Sequence, residues 1–124
     1  MQITGLKDMY IAELQELVSV EQEPAEALAR MASVASHPSL KHAFETHRRQ
    51  TLARGDRLRA ILSGHNAEAE AHTDQAVQAM IKETEKMIDI LKSDELCDAG
   101  LIASAQKLEH YEIAAYGSLA ALAG

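Results

Sequence analysis

Hydrophobic residues recur at helical spacing along most of this chain, and the pattern predicts four helical segments. Spacing and turn residues place these segments at about Leu6–Val34, Pro38–Leu62, Asp74–Leu91 and Glu95–Ala121. Pro24 lies inside the first segment, where its missing N–H should kink the helix or restart it. Pro38 suits the first turn of the second segment, and Thr73 or Asp74 suits the N-cap of the third. The pattern therefore predicts an all-α bundle.

Each predicted helix has one apolar face, which we expect to form the core. On the first helix this face consists of Leu14, Leu17, Glu21, Leu28 and Met31, and on the second of Leu40, Phe44, His47, Thr51, Leu58 and Leu62. On the fourth helix we expect an inner line of Ile102, Ala105, Glu109, Ile113, Tyr116 and Ala120. Residues 1–124 give room for one core, so we expect a single helical domain.

Charge and composition narrow the classes of partner. The net charge of −7 disfavours nucleic acid and anionic lipid. The second helix carries an arginine cluster without interleaved aromatic residues, and we interpret it as a solvated helix face. Its members are Arg48, Arg49, Arg54, Arg57 and Arg59. No apolar run approaches the length of a membrane span. We therefore expect no nucleic-acid partner and no membrane insertion.

The single cysteine, Cys97, excludes an internal disulfide and cysteine-based zinc modules. It favours a reducing compartment, and because no basic and apolar leader opens the sequence we expect a cytoplasmic protein. The sequence contains no Ser-His-Asp arrangement, glycine-rich phosphate loop or paired-cysteine motif. We therefore assign no catalytic residue and no nucleotide-binding residue.

The informative residues are ionisable side chains that fall on or beside the apolar faces. Glu21 and His47 lie on the inner faces of the first two helices, and Glu109 and Glu112 are one turn apart on the fourth. Facing carboxylates inside a bundle need cations, and bound divalent metals are a common remedy. Two interpretations stay open at this point. The residues form a metal site, or the glutamates reach water and the histidine is an ordinary core residue.

The positions of these residues along the first two helices indicate that their side chains lie close together in the bundle. If the first hairpin turns near Ser36, Glu21 lies about as far before the turn as Gln50 lies after it. We therefore expect Glu21 and Gln50 at the same level, with His47 one turn nearer the loop.

Three stretches of the sequence form a distinctive set. The first is Leu6-Lys7-Asp8 with Glu13-Leu14 and Glu21, and the second runs from His37–Lys41 through Phe44–His47. The third, which is the most specific, is Asp98–Ala103 continuing into Glu109–Gly117. Together these stretches resemble the YciE/YciF family of bacterial stress-associated proteins, a branch of the ferritin-like superfamily. The resemblance covers residues 4–123.

This resemblance implies a ferritin-like four-helix bundle that forms a homodimer or a higher homo-oligomer, with a rubrerythrin-like dimetal site. The positions that match the metal ligands are Glu21, His47, Glu109 and Glu112. The implied function is a stress-response protein that binds iron or manganese and oxidises ferrous iron or reduces peroxide.

The sequence departs from the family pattern in two ways. Gln50 stands where the family usually has glutamate, and a neutral amide is a poorer ligand for a hard cation. Family members also continue into a further helix with more carboxylates, whereas this sequence ends at Gly124. We expect one wall of the site to be missing unless another subunit supplies it. The alternative hypothesis is therefore a structural or oligomerisation protein that keeps the fold but has lost the metal site.

Overall fold

This computed structural model describes residues 3–123, and each regular element in that range is helical. The elements are α1 (Leu6–Gln22), α2 (Pro24–Val34), α3 (Pro38–Gly64), a short 3₁₀ helix (Ala69–Ala71), α4 (Gln75–Ile90) and α5 (Asp94–Ala123). The predicted all-α bundle is confirmed. None of the helices in residues 3–123 combines the length and the apolarity that crossing a bilayer requires.

Helices α1 and α2 follow one another with a single interruption. Glu23 has helical dihedral angles (φ −59°, ψ −38°), and its N–H donates to the Ser19 carbonyl oxygen at 2.8 Å. Pro24 has no N–H to donate, so one helical hydrogen bond is lost and the chain restarts as α2. The first predicted segment is therefore confirmed, with its break at Pro24.

The ends of α3 and α4 are set by local chemistry. Pro38 occupies the first turn of α3, as predicted. Asp74, rather than Thr73, caps α4, because its carboxylate accepts a hydrogen bond of 2.9 Å from the Val77 N–H. Asn66 adopts the left-handed conformation that turns the chain after α3 (φ 56°), and asparagine tolerates this conformation better than most residues.

Helix α1 is the centre of the bundle, with a run of eight buried residues that ends at Glu21 and is broken by two half-buried positions. Helix α3 packs along α1 and α2, while α5 packs along α1 and α4. The core joins Leu14, Leu17, Leu58, Leu62 and Leu108 in one cluster. Within the part of the chain that the structure describes, the backbones of α3 and α5 are not closely packed, and the two helices meet through side chains. An open groove therefore separates these two helices.

The predicted inner line of α5 is wrong by about one residue. Ile102, Glu109 and Ile113 are exposed, and Ile113 keeps 67% of its surface open. The buried line is instead Leu101, Ser104, Leu108 and Glu112. Neighbouring residues on a helix point about 100° apart, and α5 carries apolar residues on every side. Spacing alone therefore could not select the buried face.

Candidate metal centre

Four ionisable side chains meet at the inner edge of the groove between α3 and α5. Glu21 comes from α1, His47 and Arg54 come from α3, and Glu112 comes from α5. We call these four residues the Glu21 cluster. The side chain of Glu21 is completely buried and that of Glu112 is 9% exposed, so both carboxylates lie in the interior of the protein.

Glu21 is held in place by α3. The Thr51 hydroxyl lies 2.8 Å from the Glu21 carbonyl oxygen and 2.9 Å from Glu21 Oε2. Gly55 allows the two helices to approach, since a Cβ atom at this position would lie 3.3 Å from Gln22 Cγ and 3.8 Å from Glu21 Cβ. The other carboxylate oxygen, Glu21 Oε1, is buried and has no hydrogen-bond partner among the described residues. This oxygen is an acceptor that the fold leaves unsatisfied.

Arg54 lies between the two buried carboxylates. Its Nη1 atom is 3.9 Å from Glu21 Oε2 and 3.5 Å from Glu112 Oε2. The arginine side chain is 35% exposed, so the guanidinium reaches inward from the rim of the groove. One cation thus partly neutralises both carboxylates.

His47 completes the cluster from the other side of Glu112. Its Nε2 atom is 3.6 Å from Glu112 Oε1, and this carboxylate raises the pKa of the histidine, while burial opposes the shift. The charge of Glu109 raises the pKa of His47 further. The imidazole therefore carries a proton more readily than an isolated histidine.

Burial raises the pKa of Glu21 to about 7, and the charge of Glu112 adds to this shift. The Thr51 hydrogen bond, Arg54 and His47 act in the opposite direction without cancelling it. Tyr116 lies near the same carboxylates, and burial together with the charge of Glu21 raises the pKa of its phenol. The Glu21 cluster therefore sets two carboxylates against one permanent cation, Arg54, and a histidine whose charge depends on pH.

The groove beside the cluster contains two adjoining cavities. One has a volume of about 390 Å³ and the other of about 480 Å³, and both are bounded by Arg54, Glu112 and Ile113. We call this surface the α3–α5 groove. Its walls are formed by His42, His47, Gln50, Arg54, Arg57, Leu58 and Ile61 from α3, and by Glu109, Glu112, Ile113 and Tyr116 from α5.

The structure brings three of the four predicted ligands together. Glu21, His47 and Glu112 belong to the Glu21 cluster. Thr51 lies opposite Glu21, which agrees with the prediction that Glu21 and the neighbouring Gln50 lie at the same height in the bundle. Glu109 is exposed and lines the groove. Glu109 is exposed because the buried face of α5 is rotated by about one residue from the predicted face and contains Glu112 instead.

Arg54 is the member of the cluster that sequence reasoning missed. The interpretation of the arginines as a solvated face is wrong for this residue, which is ion-paired with two buried carboxylates. Arg48 and Arg59 also bind neighbouring elements, through the Ala25 carbonyl oxygen and the Glu70 carboxylate. The sequence does indicate an inward position for Arg54, because it lies three residues after Thr51 and four before Leu58, on the inner face of α3.

Three side chains of the cluster are of types that bind divalent metals, but in this structure they form an ion-pair network with Arg54. Within residues 3–123, no three acidic, histidine or cysteine side chains converge closely enough to hold a metal ion in this arrangement. The Arg54 guanidinium lies within 4 Å of one oxygen of Glu21 and one oxygen of Glu112. Two carboxylates and an imidazole are nevertheless suitable ligands for iron or manganese, and Glu21 Oε1 accepts no hydrogen bond from the described residues. Two ions would require further carboxylates, and Gln50 contributes a neutral amide to the groove.

Comparison with known proteins links the chain to a family. Residues 5–124 match the family described as a domain of unknown function (DUF892). Protein YciF of Escherichia coli strain K12 is 36% identical over 124 residues, which cover 99% of this chain and 75% of that protein. The sequence stretches that resemble the YciE/YciF family therefore identified the right group.

Two solved structures have the same fold. The crystal structure of the E. coli stress protein YciF superposes with a TM-score of 0.90 at 34% identity, covering 98% of this chain and 77% of that chain. YcfI from Rhodopseudomonas palustris superposes with a TM-score of 0.93 at 28% identity, covering 98% of this chain and 78% of that one. The description of YcfI suggests a structural protein.

Proposed function

The chain belongs to the DUF892 family, and we propose that it is a YciF-like stress-response protein that binds iron or manganese at the Glu21 cluster. The observation that carries this proposal is that the buried carboxylates of Glu21 and Glu112 both lie within 4 Å of Arg54 Nη1, while His47 Nε2 lies 3.6 Å from Glu112 Oε1. Two buried carboxylates with one permanent cation between them are an unfavourable arrangement unless a proton or a further cation binds. The unpartnered Glu21 Oε1 supports the same proposal.

Each residue has a defined part in this proposal. Glu21 and Glu112 supply anionic oxygen ligands, His47 supplies a nitrogen ligand, and Glu109 approaches from the rim of the groove. This set supports one ion per chain rather than two, because Gln50 replaces a carboxylate. The chemistry that such an ion supplies is electron exchange with oxygen or peroxide, which suits ferrous iron or peroxide as the substrate.

Metal content tests the proposal directly. The protein is dialysed anaerobically against Fe²⁺ or Mn²⁺, and bound metal is measured by mass spectrometry together with the native oligomer mass. We expect about one equivalent per chain in the unmodified protein and a large loss in Glu112→Gln, since two carboxylates and an imidazole form one donor set. Absence of bound metal in a folded, unmodified protein contradicts the proposal.

Glu13→Gln is the matched control for this experiment. Glu13 lies on α1 like Glu21, but it lines a separate cavity together with Glu16, Asp74 and Tyr111. We expect Glu13→Gln to retain its metal. Loss of metal from this variant as well would show that the effect is not specific to the Glu21 cluster.

A second candidate function is a structural helical protein that keeps the fold without metal. The observation in its favour is that Arg54 already contacts Glu21 and Glu112. This hypothesis predicts that Glu21→Ala is tolerated or stabilising, because it removes a poorly compensated buried charge. The metal measurement separates the two candidates.

We further propose that the protein forms a homodimer in the cytoplasm. Charge supports the dimer, because α3 has an excess of basic residues and α5 an excess of acidic ones, so a second copy can set its α5 against α3. The exposed Ile61 and Ile113 on the walls of the α3–α5 groove supply apolar surface for the same contact. The free Cys97 supports a reducing compartment.

A further inference from the structure

We propose that Arg54 is the internal counter-cation of the Glu21 cluster and that a divalent metal ion binds by displacing it. Arg54 thereby sets the metal affinity of the site. This inference rests on the proposed function, since it concerns the same donor set. It goes beyond the proposed function because it assigns a role in metal binding to Arg54, which is not itself a ligand.

The position of the guanidinium supports this role. Arg54 Nη1 lies within 4 Å of one oxygen of each buried carboxylate, at 3.9 Å from Glu21 Oε2 and 3.5 Å from Glu112 Oε2. A metal ion shared by Glu21 and Glu112 must occupy the space between the same two carboxylates. A guanidinium and a divalent cation repel each other strongly at such separations, so they cannot both occupy this space.

The contacts of Arg54 are also weak enough to be replaced. Strong arginine–carboxylate pairs have N–O distances of about 2.7–2.9 Å and are often bidentate. Here both distances are longer, and Glu21 Oε1 has no hydrogen-bond partner within residues 3–123. The guanidinium therefore neutralises charge without saturating the carboxylate oxygens, whereas a metal ion that binds oxygen at about 2.0–2.2 Å would do so.

The surroundings allow Arg54 to withdraw. Its side chain is 35% exposed, whereas Glu21 is completely buried and Glu112 is 9% exposed. The cavity of about 390 Å³ next to Arg54 is bounded by Leu58, Ile61 and Ile113, so it leaves room for the guanidinium to move away from the carboxylates. The carboxylates are thus fixed in the interior, while the cation is the component that can move outward.

Three variants test the inference by Mn²⁺ binding, with free Mn²⁺ measured by electron paramagnetic resonance at equilibrium. Arg54→Gln removes the charge and Arg54→Lys keeps it. Arg57→Gln removes a charge from an arginine one turn along the same groove wall. We expect Arg54→Gln to bind Mn²⁺ about tenfold more tightly than the unmodified protein, because a neighbouring like charge is removed. We expect Arg54→Lys and Arg57→Gln to stay within about threefold of the unmodified protein.

Thermal unfolding of the same samples supplies a second measurement. Arg54→Gln should unfold at a lower temperature than the unmodified protein in chelator, because Glu21 and Glu112 lose their counter-cation. It should also gain more thermal stability from Mn²⁺. If Arg54→Gln is unfolded in chelator, we expect Mn²⁺ to restore its helical circular dichroism, and failure of Mn²⁺ to do so overturns the inference.

The outcomes separate this inference from the proposed function. Equal Mn²⁺ affinity in the unmodified protein and Arg54→Gln overturns the role of Arg54 while metal binding stands. Binding by Arg54→Gln alone supports the role of Arg54 and contradicts metal binding by the unmodified protein. Absence of binding in both proteins overturns both proposals. If Arg54→Lys and Arg54→Gln bind Mn²⁺ equally tightly, and both bind it more tightly than the unmodified protein, the positive charge of Arg54 is not what weakens metal binding.

Discussion

The Thr51 hydroxyl faces two oxygen atoms of the same residue, the carbonyl oxygen of Glu21 at 2.8 Å and its carboxylate Oε2 at 2.9 Å. A hydroxyl has one proton and can donate to only one of these atoms. One of these two buried oxygens therefore lacks the Thr51 donor at any given time. The hydrogen bond from Thr51 lowers the pKa of Glu21, but burial outweighs it and raises this pKa to about 7.

Thr51→Val is expected to destabilise the protein by about 1–3 kcal/mol, because it leaves buried oxygen atoms of Glu21 without their hydrogen-bond donor. Thr51→Ser is the matched control, since it keeps the hydroxyl and loses one methyl group, at a loss of about 1 kcal/mol. Urea denaturation of both variants measures the difference. Equal stability of the two variants would show that the hydroxyl has no structural role.

The stability of the metal-free protein should fall as the pH rises from 5 to 8. Glu21 has a raised pKa in the folded state, about 7 against 4.5, so it stabilises the fold fully below pH 4.5 and loses this contribution as the pH rises through 7. The pKa of His47 is also raised, and its contribution is lost in the same direction. The Glu21 part amounts to about 3 kcal/mol, at 1.36 kcal/mol per pKa unit.

Glu21→Gln isolates the contribution of Glu21, because the amide has a similar shape and does not titrate. We expect its free energy of unfolding, measured in chelator, to depend less on pH and to exceed that of the unmodified protein at pH 8. A curve parallel to that of the unmodified protein would assign the pH dependence to other groups. Asp98 does not interfere, since the pKa of this carboxyl is lowered by its hydrogen bonds to Ser36 and it titrates below the measured range.

The sequence was sufficient to predict the helices and the height of Glu21 along α3, because apolar residues recur at helical spacing and Pro24 and Pro38 mark the starts of α2 and α3. It was insufficient for the rotation of α5, whose surface is apolar on several sides, so that Glu112 rather than Glu109 is buried. The inward position of Arg54 was not predicted, because an arginine on a helix usually extends its charged end into solvent. Its inward position depends on carboxylates from two other helices, which local spacing does not reveal.

Gly117→Ala should stabilise the protein by about 1 kcal/mol, because alanine is a better helix former and a Cβ at this position meets no atom within 4 Å. Gly55→Ala makes the same change in α3, where the new Cβ would lie 3.3 Å from Gln22 Cγ. We expect a smaller gain or a loss there. Thermal unfolding compares the two variants, and an equal gain at both positions would show that Gly55 is not needed for the close approach of α3 to α1.

Ile113→Glu should shift the protein from dimer to monomer, because Ile113 keeps 67% of its surface exposed on the wall of the α3–α5 groove that we propose a second copy covers. A glutamate there would replace apolar surface of the interface with a carboxylate that loses its hydration on burial. Ile90→Glu is the matched control, since Ile90 is 56% exposed on α4 and lies outside the groove. Light scattering coupled to size-exclusion chromatography measures the mass of each variant. A monomeric unmodified protein contradicts the dimer, and a dimeric Ile113→Glu places its interface on another surface.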